Sequence, residues 1–211
     1  MSDDRAAADS PHPIAEAAVA ARRGALIVIP TDTVYGIATR PDDPRATSRL
    51  FAAKGRPPDL ALPVLAASLD VARELAALDE RAERVAAALW PGALTLVLPR
   101  AAATRAWELG GTGATIALRV PRHPLAIAVL EHAGALAASS ANRSGEPPAR
   151  TCEELERTFE DMVEVYICEE RKLAGEASTV VDLSGSRPRI LRAGGLDPGV
   201  LEQLWAEETR C

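Results

Sequence analysis

Apolar residues along this chain form two patterns: some recur at the spacing of a helix, and others form short continuous runs. Helical spacing follows Pro13 as far as Gly24 and Pro44 as far as Gly55, and proline before with glycine after is a usual pair of helix boundaries. Short β-branched runs between polar turns predict buried strands. Such runs cover residues 25–29, 62–67, 93–98, 114–120, 135–139, 163–168, 178–183 and 188–192. Further helices are predicted at 69–78, between 79 and 90, between 124 and 134, from Thr151 and from Asp197.

The order of these elements predicts the fold class. Helices and strands alternate, which favours helices layered on a mostly buried and at least partly parallel sheet. The last two strands are joined by a Ser-Gly turn, so the sheet should be mixed. We therefore expect an α/β fold, called α+β in some schemes, with three layers and a twisted mixed sheet. It should form a single domain over residues 13–208, after an acidic and polar disordered tail at 1–12.

Composition and charge exclude several classes of protein. The chain has 211 residues, with 24 Lys and Arg against 30 Asp and Glu and a formal net charge of −6, which disfavours a non-specific nucleic-acid sleeve. Three cysteines without CxxC spacing argue against a disulfide scaffold and a zinc site, so we expect Cys152 and Cys168 to be semi-buried thiols in a reducing compartment. The start lacks a signal sequence, and no apolar stretch approaches about 18 residues. These features predict a cytoplasmic protein without a membrane partner.

Polar clusters fall where predicted strands end. They are PTDTVYG at 30–36, KGRP at 54–57, SSAN at 139–142, and STVVD with ILRAGG between 178 and 195. Ligands of layered α/β sheets bind at such loops, so the clusters are expected to face one crevice. Lys54, one of only two lysines, and Arg56 lie within three residues of each other. Together with Arg119 and Arg192 they suit a polyanion such as phosphate, although no GxxxxGK[ST] sequence is present.

Structural explanations of the same residues are also open. Asp32 could pin a turn, and Tyr35 could be a core residue with a satisfied hydroxyl. Lys54 and Arg56 could stabilise a helix C-terminus, which the residues alone leave about as plausible as phosphate binding. His123 occupies a predicted cap position, and none of the three histidines is assigned catalysis.

The five strings, taken in order, resemble the YrdC family of L-threonylcarbamoyladenylate synthases over about residues 14–205. The resemblance implies a basic concave cavity and a nucleotidyltransferase-type enzyme. Such an enzyme forms threonylcarbamoyl-AMP and pyrophosphate from L-threonine, bicarbonate and ATP, with Mg²⁺ assisting. The product would serve threonylcarbamoylation of adenosine 37 in tRNA (t6A) by separate transfer proteins, and weak tRNA contact is expected.

The resemblance also assigns residues to the site. Lys54, Arg56, Ser140, Asn142 and Arg192 match nucleotide contacts. The positions around threonine and its carbamate are Thr31, Thr33, Tyr35, Arg56, Arg119 and Ser178. Lys54 and Arg56 are expected to catalyse by neutralising charge, without a covalent nucleophile, and the metal ligands are left open. The chain departs from the family in two places. Leu60 occupies a position where a polar residue is usual, and an apolar run occupies the position where some members have a histidine that contacts threonine.

Two other functions stay open on the sequence. One is a non-catalytic module that binds tRNA or rRNA in the same basic cavity, although the acidic charge and few aromatic residues disfavour it. The other is a carbamoyl-adenylate domain like that of hydrogenase maturation proteins, which work within longer chains. Pyrophosphate release that depends on threonine separates both from the synthase.

Overall fold

The computed structural model describes residues 11–169, 173 and 175–206. Within these residues the α-helices are α1 Pro11–Arg22, α2 Pro44–Lys54, α3 Leu69–Leu75, α4 Glu80–Leu89, α5 Pro124–Ala133, α6 Cys152–Phe159 and α7 Pro198–Ala206. The strands are β1 Ile27–Ile29, β2 Gly36–Thr39, β3 Val64–Leu65, β4 Leu94–Pro99, β5 Thr115–Arg119, β6 Leu136–Ser140, β7 Val165–Tyr166, β8 Thr179–Asp182 and β9 Arg189–Arg192. None of the helices in the described ranges is long and apolar enough to cross a membrane.

The described strands form one sheet in the order β7-β1-β2-β6-β3-β5-β4-β8-β9. Parallel pairs are β1 with β7, β3 with β5 and β4 with β8, and the other neighbours are antiparallel. The predicted mixed sheet is therefore confirmed, with more antiparallel pairing than the alternation of elements indicated. β8 and β9 form the expected hairpin at one edge.

Apolar side chains cover both faces of this sheet and create three layers. Val28 faces one buried cluster together with α2, α3, α4, α6 and α7, whereas Ile27 and Ile29 face a second cluster with α1 and α5. This alternation follows from the two-residue period of a strand, which sends neighbouring side chains to opposite faces. The three-layer expectation is confirmed.

The first helix and strand β2 differ from the sequence-based expectation. The first helix begins at Pro11, inside the predicted tail, while residues 1–10 lie outside the described residues. Strand β2 was not predicted, because GIAT contains only two strand-favouring side chains, Ile37 and Thr39. It forms because β1 and β6 supply hydrogen-bonding partners on both sides.

The expectation that Cys152 and Cys168 are separate thiols was wrong. The structure joins them in a disulfide, with Cα atoms 5.7 Å apart. Cys168 follows the edge strand β7, and Cys152 is the first residue of α6. Sequence spacing could not reveal the pair, because the contact depends on how α6 packs beside the sheet edge.

Removing this disulfide should destabilise the oxidised protein. For a sequence separation of 16 residues the chain-entropy model gives about 3 kcal/mol. We expect Cys152→Ser to lower the free energy of unfolding in urea by this order, and a reductant to bring wild type to the same value. Cys211→Ser, outside the described residues, is the control. Wild-type stability that does not respond to reductant would contradict the prediction.

Candidate active site

Lys54 anchors the candidate site at the end of α2. The helix stops because Gly55 adopts a left-handed conformation (φ 60°), and the Arg56 N–H then bonds back to the Phe51 carbonyl. The Lys54 side chain turns inward and is only 2% exposed. Its Nζ donates hydrogen bonds to the carbonyl oxygens of Ser140 at 2.5 Å and Asn142 at 2.6 Å. The lysine therefore joins the KGRP and SSAN segments.

Burial makes this ammonium unusual. Loss of solvation, followed by repulsion from Arg56, lowers the pKa of Lys54 to about 8. At neutral pH the Lys54 amine is still mostly protonated, although burial and the nearby Arg56 charge make the protonated form less favourable when no anion is bound. A bound phosphate would relieve that cost.

Arg56 is held by the loop that follows it. Its Nε donates to the Leu60 carbonyl and its Nη2 to the Ala61 carbonyl, both at 2.9 Å. The loop rests on the segment 109–111, since Gly111 N–H bonds to the Pro58 carbonyl at 3.0 Å. The bonds to Leu60 and Ala61 fix the position of the Arg56 guanidinium group.

Arg192 is the last residue of β9, and its side chain reaches the residue that precedes β8. Its Nε and Nη2 donate to the Ser178 carbonyl at 3.1 and 2.8 Å, and Nη2 also lies 3.1 Å from the Ser178 hydroxyl. That hydroxyl is 2.8 Å from Oγ1 of Thr95 on β4. Close approach of the two segments depends on Gly194, where a Cβ would lie 2.2 Å from the Ala177 carbonyl oxygen.

Arg119 organises the turn after β1. It donates to the Thr33 hydroxyl at 2.8 Å and to the Asp32 carboxylate at 2.7 Å. Oγ1 of Thr31 lies 2.9 Å from that of Thr33. Asp32 also accepts from the Arg122 N–H, so it pins the turn, in agreement with the structural explanation of that residue. The result is a buried pair of threonine hydroxyls beside a cation.

Repulsion between neighbouring pairs indicates that the four basic side chains lie in one region. Desolvation and then the charge of Arg192 lower the pKa of Arg56. Desolvation also lowers the pKa of Arg119, which Asp32 opposes and Arg192 reinforces. Since Lys54 is repelled by Arg56, the chain of effects links all four residues. We call Lys54, Arg56, Arg119 and Arg192 the basic cluster; such repulsion is tolerated at a site built for an anion.

Asn142 offers an unused acceptor beside this cluster. Its amide nitrogen donates to the carbonyls of Arg143 and Glu146 at 2.7 and 2.6 Å. Its buried Oδ1 makes no hydrogen bond to any residue that the structure describes. A cavity of about 450 Å³ borders Asn142 and the 146–150 loop. A ribose hydroxyl or an adenine amino group is a suitable donor to Oδ1.

Tyr35 is placed differently from the other residues expected around threonine. It is fully buried, and its hydroxyl accepts from the Glu169 N–H at 3.0 Å and donates to the Glu169 carbonyl at 3.3 Å. This is the satisfied core residue of the structural explanation. Direct contact with a ligand would require these bonds to be exchanged.

Sequence reasoning missed Thr95, which supports Ser178 from the neighbouring strand. The available signal was a polar residue inside the otherwise apolar run ALTLVL. Lys54, Arg56 and Arg192 are held by main-chain carbonyls. Side-chain identity carries no signal for contacts of that kind.

Comparison with known proteins identifies related chains. The model of the Sua5/YciO/YrdC family, described as telomere recombination, matches residues 19–194. A Mycobacterium tuberculosis protein provisionally named threonylcarbamoyl-AMP synthase is 41% identical over 182 residues, covering 86% of this chain and 83% of that protein. A threonylcarbamoyl-AMP synthase of Chromohalobacter salexigens is 38% identical and covers 85% of this chain and 91% of its own.

Solved structures give the same grouping. The crystal structure of Pyrococcus abyssi Sua5 complexed with L-threonine is 37% identical, with a TM-score of 0.83 and 92% of this chain covered. This chain spans 57% of that longer protein. Full-length HypF in its phosphate- and nucleotide-bound form shares the fold at a TM-score of 0.72, with 19% identity and 29% of its length covered.

Proposed function

This chain belongs to the Sua5/YciO/YrdC family, and we propose that it is a threonylcarbamoyl-AMP synthase. The substrates are L-threonine, bicarbonate and ATP, and the products are threonylcarbamoyl-AMP, pyrophosphate and water. The observation that carries the proposal is the meeting of the basic cluster with the buried hydroxyls of Thr31, Thr33 and Ser178.

The hydroxyl side of the site suits the amino acid. Threonine has a carboxylate, an amine and a hydroxyl, so a pocket for it needs a cation with small hydroxyl partners. Arg119 with Thr31 and Thr33, and Ser178 beside Arg192, supply such partners. A pocket that hydrogen-bonds the substrate hydroxyl rejects valine, because valine leaves buried polar groups unpaired.

The cationic side suits the triphosphate. Threonine amine adds to the carbon of bicarbonate with loss of water, giving a carbamate. A carbamate oxygen then bonds to the α-phosphorus while the bond from that phosphorus to the bridging oxygen breaks, and pyrophosphate leaves. Lys54, Arg56 and Arg192 would stabilise the charge on the departing group, and Asn142 would orient the nucleoside.

We further propose that Mg²⁺ arrives with ATP. Within the described ranges no group of three His, Cys, Asp or Glu side chains could hold a metal ion. Phosphate oxygens are good Mg²⁺ ligands, so the triphosphate of ATP could itself carry the metal ion into the site. When bound it would add positive charge to the pyrophosphate end, alongside the charges that we assign to Lys54 and Arg56.

The product is a reactive mixed anhydride, so its use requires a protein that transfers the threonylcarbamoyl group. We propose that this chain serves t6A formation on adenosine 37 of tRNA, through separate transfer proteins. Weak tRNA contact and a cytoplasmic location belong to the same proposal. RNA binding alone would use exposed cations, and Lys54 is buried, so the site is less suited to that role.

The function is tested by following pyrophosphate. Purified protein with Mg-ATP, bicarbonate and L-threonine should release pyrophosphate, and omission of threonine or bicarbonate should abolish the release. Release without threonine, or none with all substrates present, would refute the synthase. A tRNA gel shift at moderate salt in an inactive protein would favour the RNA-binding alternative.

Ser178→Ala should impair use of threonine more than use of ATP. The change removes the hydroxyl bonded to Thr95 and Arg192 but keeps the Ser178 carbonyl. We expect KM for threonine to rise about tenfold and discrimination against valine to fall, since one lost hydrogen bond is worth about 1 kcal/mol or more. Ser184→Ala, in an exposed turn, is the control. An equal rise in both KM values would contradict this assignment.

A further inference from the structure

A buried pair of ionisable side chains, His123 and Glu169, lies beside Tyr35 and has no part in the steps above. His123 is 5% exposed, and its Nε2 lies 3.1 Å from Oε1 of Glu169. Within the described residues neither ring nitrogen of His123 nor Oε2 of Glu169 makes an aligned hydrogen bond. Burying polar groups costs free energy, so a buried contact between a histidine and a carboxylate calls for an explanation beyond packing.

Glu169 holds Tyr35 through its main chain. The Tyr35 hydroxyl bonds to both the N–H and the carbonyl of Glu169, so the direction of the phenol depends on where this residue lies. The contact of His123 with the carboxylate fixes the same residue from its other end. Burial raises the pKa of Tyr35, and its protonated hydroxyl donates to the Glu169 carbonyl.

Tyr35 connects the two halves of the candidate site. Its carbonyl accepts the N–H of Ala141 at 2.7 Å, between the two carbonyls that hold Lys54. Two residues earlier, Thr33 bonds to Arg119 on the amino acid side. A shift of Tyr35 would therefore change the distance between the groups assigned to threonine and those assigned to phosphate.

We propose that His123 and Glu169 are positioning residues, which act through Tyr35 to align the carbamate with the α-phosphorus. The inference rests on the function proposed above and adds a specific role for a pair that need not touch either substrate. Small misplacements of reacting groups lower the rate strongly even when binding survives. Loss of the pair should thus appear in kcat rather than in KM for ATP.

A double-mutant cycle between His123→Leu and Tyr35→Phe tests the proposal. Each single change should lower kcat about tenfold while KM for ATP changes less than about twofold. If the histidine acts through the tyrosine hydroxyl, the double variant loses no more than the worse single variant. His123→Gln keeps a side-chain N–H that can face Glu169 and should recover kcat to within about threefold of wild type.

The control is His132→Leu on α5, an exposed histidine whose Nδ1 lies 2.8 Å from the Ala128 carbonyl oxygen, and kcat should not change. Should His123→Leu fail to fold by circular dichroism, Glu169→Gln takes its place in the cycle. Losses that multiply in the double variant, or melting temperatures that fall while kcat stays at the wild-type value, would overturn the inference alone. A wild-type protein without threonine-dependent pyrophosphate release would refute the function itself and the inference with it.

Discussion

Replacing Lys54 by alanine should lower kcat/KM for ATP by about 100-fold or more, since removing one preorganised group that stabilises transition-state charge costs 10² to 10³ in rate. The ammonium is held by the carbonyls of Ser140 and Asn142, so its position is fixed before a ligand binds. The domain should stay folded, because alanine also removes a desolvated charge. Steady-state pyrophosphate release and circular dichroism measure the two quantities.

The same lysine sets the alkaline side of the pH profile. Its pKa of about 8 is below the ordinary value, so the free enzyme loses this cation as the pH rises through 8. Phosphate binding needs the charged form, and kcat/KM for ATP should therefore fall about tenfold per pH unit above this value. ATP binding at pH 8 should take up protons, which calorimetry detects as a binding enthalpy that depends on the buffer.

A matched control comes from the same helix. Arg45 is exposed near the start of α2, and Arg45→Ala should leave both the rate and the pH profile unchanged. Arg56→Ala should resemble Lys54→Ala in rate. Full activity in both the Lys54 and Arg56 variants would show that the phosphate end lies elsewhere.

Gly194→Ala should be the most damaging substitution at a residue without a functional side chain. A Cβ there would lie 2.2 Å from the Ala177 carbonyl oxygen and 2.6 Å from the Thr179 nitrogen, and both atoms belong to backbone. The segment after β9 must move away from the start of β8, which breaks the bonds from Arg192 to Ser178. We expect a loss of about 3 kcal/mol in stability, at the upper end for overpacking, together with weak use of both substrates.

Gly185→Ala provides the comparison in the same hairpin. A Cβ at this position meets no atom within 4 Å, so urea unfolding and turnover should match wild type. If the two alanine variants behave alike, close backbone contact at residue 194 is not required.

The sequence was informative where a side chain determines its own surroundings. Asp43 caps α2, and Thr151 with Glu154 forms the capping box of α6, because their oxygens bond to main-chain N–H groups a few residues away. Buried strands such as β4 were found from their β-branched and leucine-rich runs. These are local effects that a single chain displays directly.

Long-range contacts made with the main chain could not be predicted. Lys54 bonds to carbonyls 86 and 88 residues away, and any residue types at 140 and 142 would offer the same oxygen atoms. The clustering of Lys54, Arg56 and Arg192 was expected from their positions near strand ends and from the family resemblance, whereas their supports became visible only in the folded chain. The roles assigned to these side chains stay predictions until the variants are measured.

Strand β9 is exposed at all four residues and pairs only with β8 among the described strands, yet it carries Arg192. A peripheral strand of this kind opens more readily than the centre of a sheet. A nucleotide bound to Arg192 would stabilise the paired form of β9, since a ligand favours the conformation that binds it. Amide hydrogens of residues 189–195 should thus exchange rapidly with deuterium in the empty protein and slowly when ATP is present, so that exchange in an edge strand reports ATP binding.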